Sequence, residues 1–151
     1  MKDKSNYITT QELWGKLFTA RSSEDYLRNY GSSLKMPAFS EYIKTLCEKR
    51  GERPETVIRR ADLDSSYGHR LFSGERNPSR DTALRLAFAL EQDFDGVQQL
   101  LKFARATALH PRVKRDAVIA YCLHNHKTLM DVQQMLYDHG MPVLGAGRNA
   151  V

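Results

Sequence analysis

The sequence PETVIRRADLDSSYGHRLFSGERN (54–77) has the spacing of two short helices joined by a tight turn. Pro54 suits the first position of a helix, where the N–H that proline lacks has no helical partner anyway. The apolar residues that follow at helical spacing are Val57, Ile58 and Ala61. The residues LDSS then interrupt the pattern and favour an Asx or Ser turn or an N-cap. This order predicts a helix-turn-helix.

The second helix of the motif is predicted to begin near Ser65 or Ser66 and to end at Ser73-Gly74, because glycine often follows the last helical residue. Helical periodicity turns three of its residues inward, namely Tyr67, Leu71 and Phe72. His69 and Arg70 are expected to face outward. The exposed face should therefore be polar and able to form hydrogen bonds.

Helical spacing continues on both sides of this segment, and no long segment alternates apolar and polar residues as a strand would. A one-sided helix over 38–50 is expected to support the motif from behind. Ser79 is predicted to cap the next helix, and Asp95-x-x-Gln98 the one after it. The buried residues expected on these three helices are Phe39, Tyr42, Ile43, Leu46, Cys47, Ala83, Leu84, Ala87, Phe88, Leu90, Val97, Leu100, Leu101 and Ala104.

Two further helical pairs flank this region. Thr9-x-x-Glu12 and Ser22-x-x-Asp25 resemble capping boxes and predict two helices before residue 36. A helix over 112–124 follows His110-Pro111, and Thr128-x-x-Asp131 begins the last helix. The residues expected to be buried on the last two helices are Val113, Ala117, Val118, Tyr121, Cys122, Leu129, Val132, Met135 and Leu136.

The predicted fold is all-α, with a five-helix core over 37–106. An N-terminal helical extension (1–36) and a C-terminal helical pair (107–144) are expected to pack on this core or on a second copy of it. Residues 145–151 are expected to be a frayed tail. The aromatic pairs Trp14 with Phe18 and Tyr26 with Tyr30 lie at i, i+4 spacing, which suits either core packing or an interface with a partner.

The composition argues against a secreted or membrane protein and is compatible with a polyanionic partner. The chain has 151 residues, a net charge of +5 and two cysteines, Cys47 and Cys122, both within apolar helical patterns. Such cysteines indicate reduced thiols used as small core residues, and hence a cytoplasmic protein. The sequence contains no signal-like apolar run and no apolar stretch of the roughly 18 residues that a membrane helix needs. The basic charge is compatible with a polyanionic partner.

Four residues of the second helix are candidates for reading DNA bases. In a helix-turn-helix the second helix enters the major groove and presents its N-terminal residues to base edges. Ser65, Ser66, His69 and Arg70 occupy those positions. Arg70 is the strongest candidate, because an arginine can bind guanine O6 and N7 through two hydrogen bonds, whereas serine discriminates little.

Residues that flank this helix are candidates for phosphate contacts. Arg76, Asn77 and Arg80 lie in and after the exit loop, near the N-terminus of the Ser79 helix, and Arg53 lies at the entrance to the motif. The alternative interpretation is structural: capping for the serines, a solvated side chain for His69, and salt bridges to Glu75 or Asp81 for the arginines. A second basic cluster over 102–115 is either a further contact surface or a solvated face.

The sequence resembles the Cro/CI-type (XRE family) helix-turn-helix domain over about 37–106. The resemblance rests on the helix 38–50, PETVIRRADLDSS (54–66), YGHRLFSG (67–74) and RNPSRDTALRLAFAL (76–90), and SGERNPS (73–79) is the best-matched piece. It implies a five-helix DNA-binding domain, commonly dimeric, of bacterial and phage transcriptional regulators. It also implies that Ser65, Ser66 and Arg70 face the bases and that Arg76, Asn77 and Arg80 face the DNA backbone.

Three positions depart from the usual pattern of that family. Members usually carry a small residue at the first buried position, glycine at the turn and an aliphatic residue in the middle of the second helix, where this chain has Ile58, Asp62 and Gly68. Glycine inside a helix costs about 1 kcal/mol relative to alanine. Gly68 therefore predicts either a less stable helix or one that another backbone approaches closely.

Other chemistries are poorly supported by the sequence. Cys122 and His126 share a helical face with i, i+4 spacing, but His124, His110 and His139 are not held near them by any local pattern, so no metal site is expected. No nucleophile elbow, HExxH, P-loop or GxGxxG motif occurs, so neither catalysis nor a cofactor is expected. Asp81 and Asp116 each neighbour an arginine and are interpreted as helix-end or salt-bridge partners.

Two functions are consistent with these features. The first is a sequence-specific transcriptional regulator that binds double-stranded DNA as a homodimer. The second is a protein-interaction module or adaptor that keeps the helix-turn-helix scaffold, binds little DNA and uses its outer helices to hold a protein partner.

Overall fold

The structure is a computed structural model and describes residues 10–34 and 38–145. These residues form α-helices and connecting turns with no β-strand, so the predicted all-α class is confirmed. The helices are α1 (Thr10–Phe18), α2 (Ser23–Tyr30), α3 (Phe39–Arg50), α4 (Pro54–Arg60), α5 (Ser65–Ser73), α6 (Arg80–Ala89), α7 (Phe94–Phe103), α8 (Lys114–His124) and α9 (Leu129–Asp138), with a short 3-10 turn at Gly31–Ser33.

The chain divides into two compact units, 1–36 and 37–151. The second unit contains α3 to α7 together with α8 and α9, so the predicted C-terminal pair and the five-helix core belong to the same compact unit. Helix α9 packs on α6, and α8 packs on α7 and α9.

In the first unit, α2 begins as expected: the Ser22 side chain accepts a hydrogen bond from the Asp25 N–H at 3.1 Å. Thr9, half of the other predicted capping box, lies outside the described residues. Helix α1 has no buried residue. The rings of Trp14 and Phe18 stack with centroids 5.4 Å apart, yet these residues are 53% and 76% exposed.

The predicted helix-turn-helix forms from α4 and α5. Pro54 is the first residue of α4, and Asp64 caps α5 by accepting a hydrogen bond from the Tyr67 N–H at 2.9 Å. Gly74 ends α5 in the left-handed conformation with φ 85°, which suits glycine. The predicted start and end of both helices are confirmed.

Helix α6 is the centre of the second unit, because every residue from Thr82 to Leu90 is buried. Ser79 caps it as predicted, through a hydrogen bond from the Thr82 N–H at 3.2 Å. The predicted core residues of α3, α6 and α7 are buried, except that Tyr42 and Ala104 are only half-buried.

Two local predictions are wrong. Helix α7 is capped by Asp93, which accepts from the Gly96 N–H at 2.7 Å, and not by Asp95. Helix α8 begins at Lys114 rather than Arg112, and its inward face differs from the predicted one: Val113, Ala117 and Tyr121 are exposed. Cys122 is buried as predicted, and the other buried residues of the helix are Asp116, Ile119 and Leu123. The face was missed because a buried carboxylate interrupts its apolar pattern.

That carboxylate belongs to a pair of crossed salt bridges between α6 and α8. The Arg80 guanidinium donates to both Asp116 carboxylate oxygens at 2.9 Å. Reciprocally, Arg115 donates to the two oxygens of Asp81 at 2.9 and 3.0 Å. Bidentate pairs of this kind fix orientation as well as distance. The salt-bridge role predicted for Asp81 and Asp116 is confirmed.

The C-terminal segment after α9 is also held. Leu144 is buried, its N–H donates to Gln133 Oε1 at 2.7 Å and its carbonyl accepts from Gln133 Nε2 at 2.8 Å. The Gly145 N–H donates to Asp81 at 3.0 Å, so the first residue of the predicted frayed tail is bound to the core. Residues 146–151 lie outside the described part.

Candidate nucleic-acid interface

The outward face of α5 is polar, as the periodicity predicts. Ser65, Ser66 and His69 are exposed, and Arg70 is partly exposed. The opposite face, formed by Tyr67, Gly68, Leu71 and Phe72, is buried. Because α5 packs on both α3 and α4, its polar face is held on a rigid support rather than on a loop. The structure therefore brings together the four residues predicted to read bases.

Arg70 has one weak intramolecular partner. Its Nε lies 4.0 Å from the Glu75 carboxylate, which is the salt bridge considered in the alternative interpretation. This distance is too long for a hydrogen bond. The Arg70 side chain is 42% exposed, and a pair of this kind in water contributes between nothing and about 1 kcal/mol. The guanidinium is therefore available to turn toward another acceptor.

Three of the four predicted phosphate contacts lie on exposed residues. Arg53 is the exposed residue that precedes α4, and Arg76 and Asn77 are exposed in the loop that follows α5. Within the described residues, the side chains of these three have no hydrogen-bond or ion-pair partner. The loop itself is anchored, since the Arg76 N–H donates to the Arg70 carbonyl at 3.1 Å.

The structure gives Arg80, the fourth, an internal role. Its guanidinium is held by Asp116, and its Nε also donates to the Thr107 carbonyl at 2.9 Å. Most of its donor groups therefore already have partners inside the protein. The alternative interpretation placed its salt bridge with Glu75 or Asp81, but the partner lies 36 residues further along the chain. Arg115, at the end of the basic cluster 102–115, is likewise held internally.

Arg85, which was not among the predicted site residues, connects the helix-turn-helix to the rest of the unit. It is buried on α6, and its Nε donates to the Ala61 carbonyl at 3.0 Å while its Nη2 donates to the Asp62 carbonyl at 3.3 Å. Its Nη1 donates to the Leu144 carbonyl at 3.2 Å. One side chain thus joins the turn before α5 to the C-terminal segment. An arginine within an otherwise apolar helix is the signal that could have identified it.

Ile58 and Gly68 fill one space between α4 and α5. A Cβ added at Gly68 would lie 2.5 Å from Ile58 Cγ2 and within 2.9 Å of two further atoms of that side chain. Of the two explanations predicted for Gly68, a less stable helix or close approach by another backbone, the second is wrong in one respect: the atoms that approach Gly68 belong to the Ile58 side chain. Asp62 has φ 54°, a left-handed conformation that aspartate tolerates better than most residues.

The cysteines are part of the core. Both are buried free thiols, and burial raises the pKa of the Cys47 thiol to about 11. Burial also raises the pKa of Cys122, whose Sγ lies 3.6 Å from the Met135 sulfur. In the part of the chain that the structure describes, no three His, Cys, Asp or Glu residues are grouped as a metal site would require. None of the described helices is long and apolar enough to cross a membrane.

Comparison with known proteins finds no matching family model, no similar curated protein and no similar solved structure. The helix-turn-helix geometry, the polar face of α5 and the unpaired basic side chains beside it are thus the observations that bear on function.

Proposed function

We propose that this protein is a cytoplasmic, DNA-binding transcriptional regulator of the Cro/CI type, without enzymatic activity, whose α5 enters the major groove. The observation that carries the proposal is the outward face of α5. It contains hydroxyl, imidazole and guanidinium groups and no carboxylate, and it is carried on a buried helix-turn-helix scaffold. Groups of these types match the donors and acceptors on base edges.

Arg70 is the proposed specificity residue. A bidentate contact between an arginine and guanine contributes about 1–3 kcal/mol of discrimination. That exceeds the contribution of the Glu75 pair, so contact with guanine would displace it. Arg53, Arg76 and Asn77 are proposed to bind phosphates, which sets register and adds affinity for every DNA sequence. The internal role of Arg80 argues against a direct phosphate contact and for a role in holding the start of α6.

The departures from the Cro/CI pattern are compatible with this proposal. In the family, a larger residue in the second helix packs against a small residue in the first. Here the sizes are reversed, because the Ile58 side chain on α4 occupies the space beside Gly68 on α5. Asp62 adopts the left-handed turn conformation for which the family uses glycine. The exchange keeps α4 and α5 packed together, which is what an exposed α5 face requires.

The test is DNA selection followed by matched variants. Wild-type protein is incubated with a pool of random duplexes, and the enriched sequences are used to measure affinity at several salt concentrations. Arg70→Ala should lose about tenfold or more in preference for the selected site over random DNA. Arg76→Ala should lower the affinity for selected and random DNA by the same factor. It should also reduce the slope of log affinity against log salt concentration by about one unit.

Lys127→Ala is the control for charge, because Lys127 lies near the C-terminal end of α6 whereas Arg76 lies near its N-terminal end. It should leave both affinities unchanged. If no DNA sequence is enriched, or if all three variants have the same DNA affinities, the proposed role of the outward face of α5 is wrong.

As a homodimer, the protein should select two half-sites about 34 Å apart, and sedimentation equilibrium should give twice the chain mass.

A second function, an adaptor that holds a protein partner, is favoured by one observation. Trp14, Phe18 and Leu27 are each more than half exposed in the first unit, and the rings of Trp14 and Phe18 stack on each other, whereas large apolar side chains are usually buried. Under this proposal the wild type enriches little DNA but retains a stoichiometric protein partner in a pull-down, and a Trp14→Ser/Phe18→Ser variant loses that partner. A partner retained by the variant, or no partner at all, counts against the adaptor function.

A further inference from the structure

A pocket of about 680 Å³ lies where the C-terminal ends of α4 and α6 meet the turn between α8 and α9. This volume falls within the range of about 300–1,000 Å³ that is usual for small-molecule sites. Its apolar surface is contributed by Phe88 and Ala89 of α6, Leu123 of α8, and Leu129 and Met130 of α9. Phe88, Ala89 and Leu123 are themselves buried, so this part of the pocket is rigid.

The charged groups on the rim fall into two sets. Glu91 is paired with Arg50 at 3.0 Å, and Arg60 is paired with Glu52 at 3.0 Å. Each of these charges is balanced by its partner. The side chains of His126 and Lys127 also line the pocket, and they have no hydrogen-bond or ion-pair partner among the residues described. The rim therefore has the unpaired ammonium of Lys127 and the free donors of His126, and the carboxylates of Asp93 and Asp95 lie with His126 around a second pocket.

Asp131 interacts electrostatically with Lys127, but among the residues described no ion pair joins the two side chains. It accepts a hydrogen bond from the Thr128 N–H at 2.9 Å as half of the capping box that starts α9. That bond, together with one from the Thr128 hydroxyl, lowers the pKa of Asp131, and Lys127 adds only a smaller effect. The Asp131 carboxylate stays charged and offsets part of the Lys127 charge, but its hydrogen bond is with the Thr128 N–H, so the donors of the Lys127 ammonium remain open to a ligand anion.

We propose that this pocket binds a small amphipathic organic anion. The apolar body of the ligand lies against Phe88, Leu123 and Met130, and its acidic group lies between Lys127 and His126. This inference goes beyond the proposed DNA-binding role and does not depend on it. Apolar walls with a few polar groups at one edge are the usual composition of such sites, in which the polar groups fix the orientation of the ligand.

The experiment uses two fluorescent probes that differ in charge. 8-Anilino-1-naphthalenesulfonate is an amphipathic aromatic anion, and N-phenyl-1-naphthylamine has nearly the same apolar body without the sulfonate. Both are titrated into the full chain without DNA. The wild type should bind the anion about tenfold more tightly than the neutral probe, because only the anion meets the cationic rim.

Three variants locate the site. Lys127→Glu should lower the affinity for the anionic probe about tenfold and leave the affinity for the neutral probe unchanged. Met130→Ala removes part of the wall from a residue that is 81% exposed, so it should weaken both probes while the fold is kept. Lys44→Glu makes the same change of charge at an exposed position on α3 and should affect neither probe.

Amide chemical shifts identify the bound region directly. The anion should perturb the amides of residues 126–130 and of Ala89 more than those of the first unit. Equal affinity for the two probes, loss of anion binding in Lys44→Glu as in Lys127→Glu, or shifts confined to α1 and α2 would each overturn the proposal. Because no measurement includes DNA, failure of the DNA-binding proposal leaves these outcomes unaffected.

Discussion

Replacing Gly68 with alanine tests how α4 and α5 fit together. At an exposed helical position, glycine to alanine stabilises a protein by about 1 kcal/mol. Gly68, however, is buried, and the new methyl group would lie 2.5 Å from Ile58 Cγ2 and less than 3.0 Å from Cγ1 and Cδ1 as well. Both Cγ atoms sit on the β-branched carbon of Ile58, whose χ1 is stiff, so the side chain cannot simply bend away.

The net effect follows from two opposing terms. Overpacking a buried site costs about 1–3 kcal/mol. Because the new methyl group of Gly68→Ala would meet three atoms at close range, we expect its overpacking cost to be about 3 kcal/mol. After the helical gain of about 1 kcal/mol is subtracted, the free energy of unfolding should fall by about 2 kcal/mol. Ile58→Ala alone should cost about 3 kcal/mol, since it leaves a cavity.

The double variant is the decisive measurement. With Ile58 truncated, the new methyl at 68 has space and the helical gain remains. Gly68→Ala/Ile58→Ala should therefore cost about 2 kcal/mol, where independent effects would add to about 5 kcal/mol. Urea unfolding followed by circular dichroism at 222 nm gives all four values. Ser66→Ala, on the exposed face of α5, is the control and should change stability by no more than about 0.5 kcal/mol. A stabilising Gly68→Ala, or additive effects, would refute the close fit of these two residues.

Three further predictions concern two buried residues, Asp116 and Cys47, and the half-buried Asp81. Asp116→Asn should lower the free energy of unfolding by about 3 kcal/mol, because it breaks a buried ion pair, whereas Asp25→Asn, in an exposed pair, should change it by less than about 0.5 kcal/mol in the same urea assay. For Asp81, burial opposes ionisation, but hydrogen bonds from Arg115 and from the Gly145 N–H outweigh it, so the pKa of Asp81 lies below its usual value of 3.8. The stability it contributes is therefore present above about pH 4 and lost as pH falls through the lowered value, so the urea midpoint of Asp81→Asn should change less than that of the wild type between pH 5 and pH 2.5. Cys47, with a pKa of about 11, should resist iodoacetamide at pH 8 until urea unfolds the chain, and rapid alkylation of the folded protein would contradict its burial.

Local features of the sequence were sufficient to locate most helices. The starts of α4, α5 and α6 and the end of α5 were predicted correctly because each depends on a cap, a proline or a glycine within a few residues. The polar face of α5 was also predictable, since helical periodicity alone separates His69 from Leu71. Where two carboxylates competed for one helix start, the sequence pattern chose Asp95, whereas the structure has Asp93.

The sequence by itself determined the all-α class, the helix-turn-helix and the residues on its exposed face, because caps, turns and periodicity act between residues close in the chain. Only the tertiary structure decided which distant residues meet. It pairs Arg80 with Asp116, joins Arg85 to Leu144, fits Ile58 against Gly68 and forms the pocket beside Lys127. These contacts follow from the packing of whole helices, in which every neighbouring side chain takes part, so no local pattern contains them.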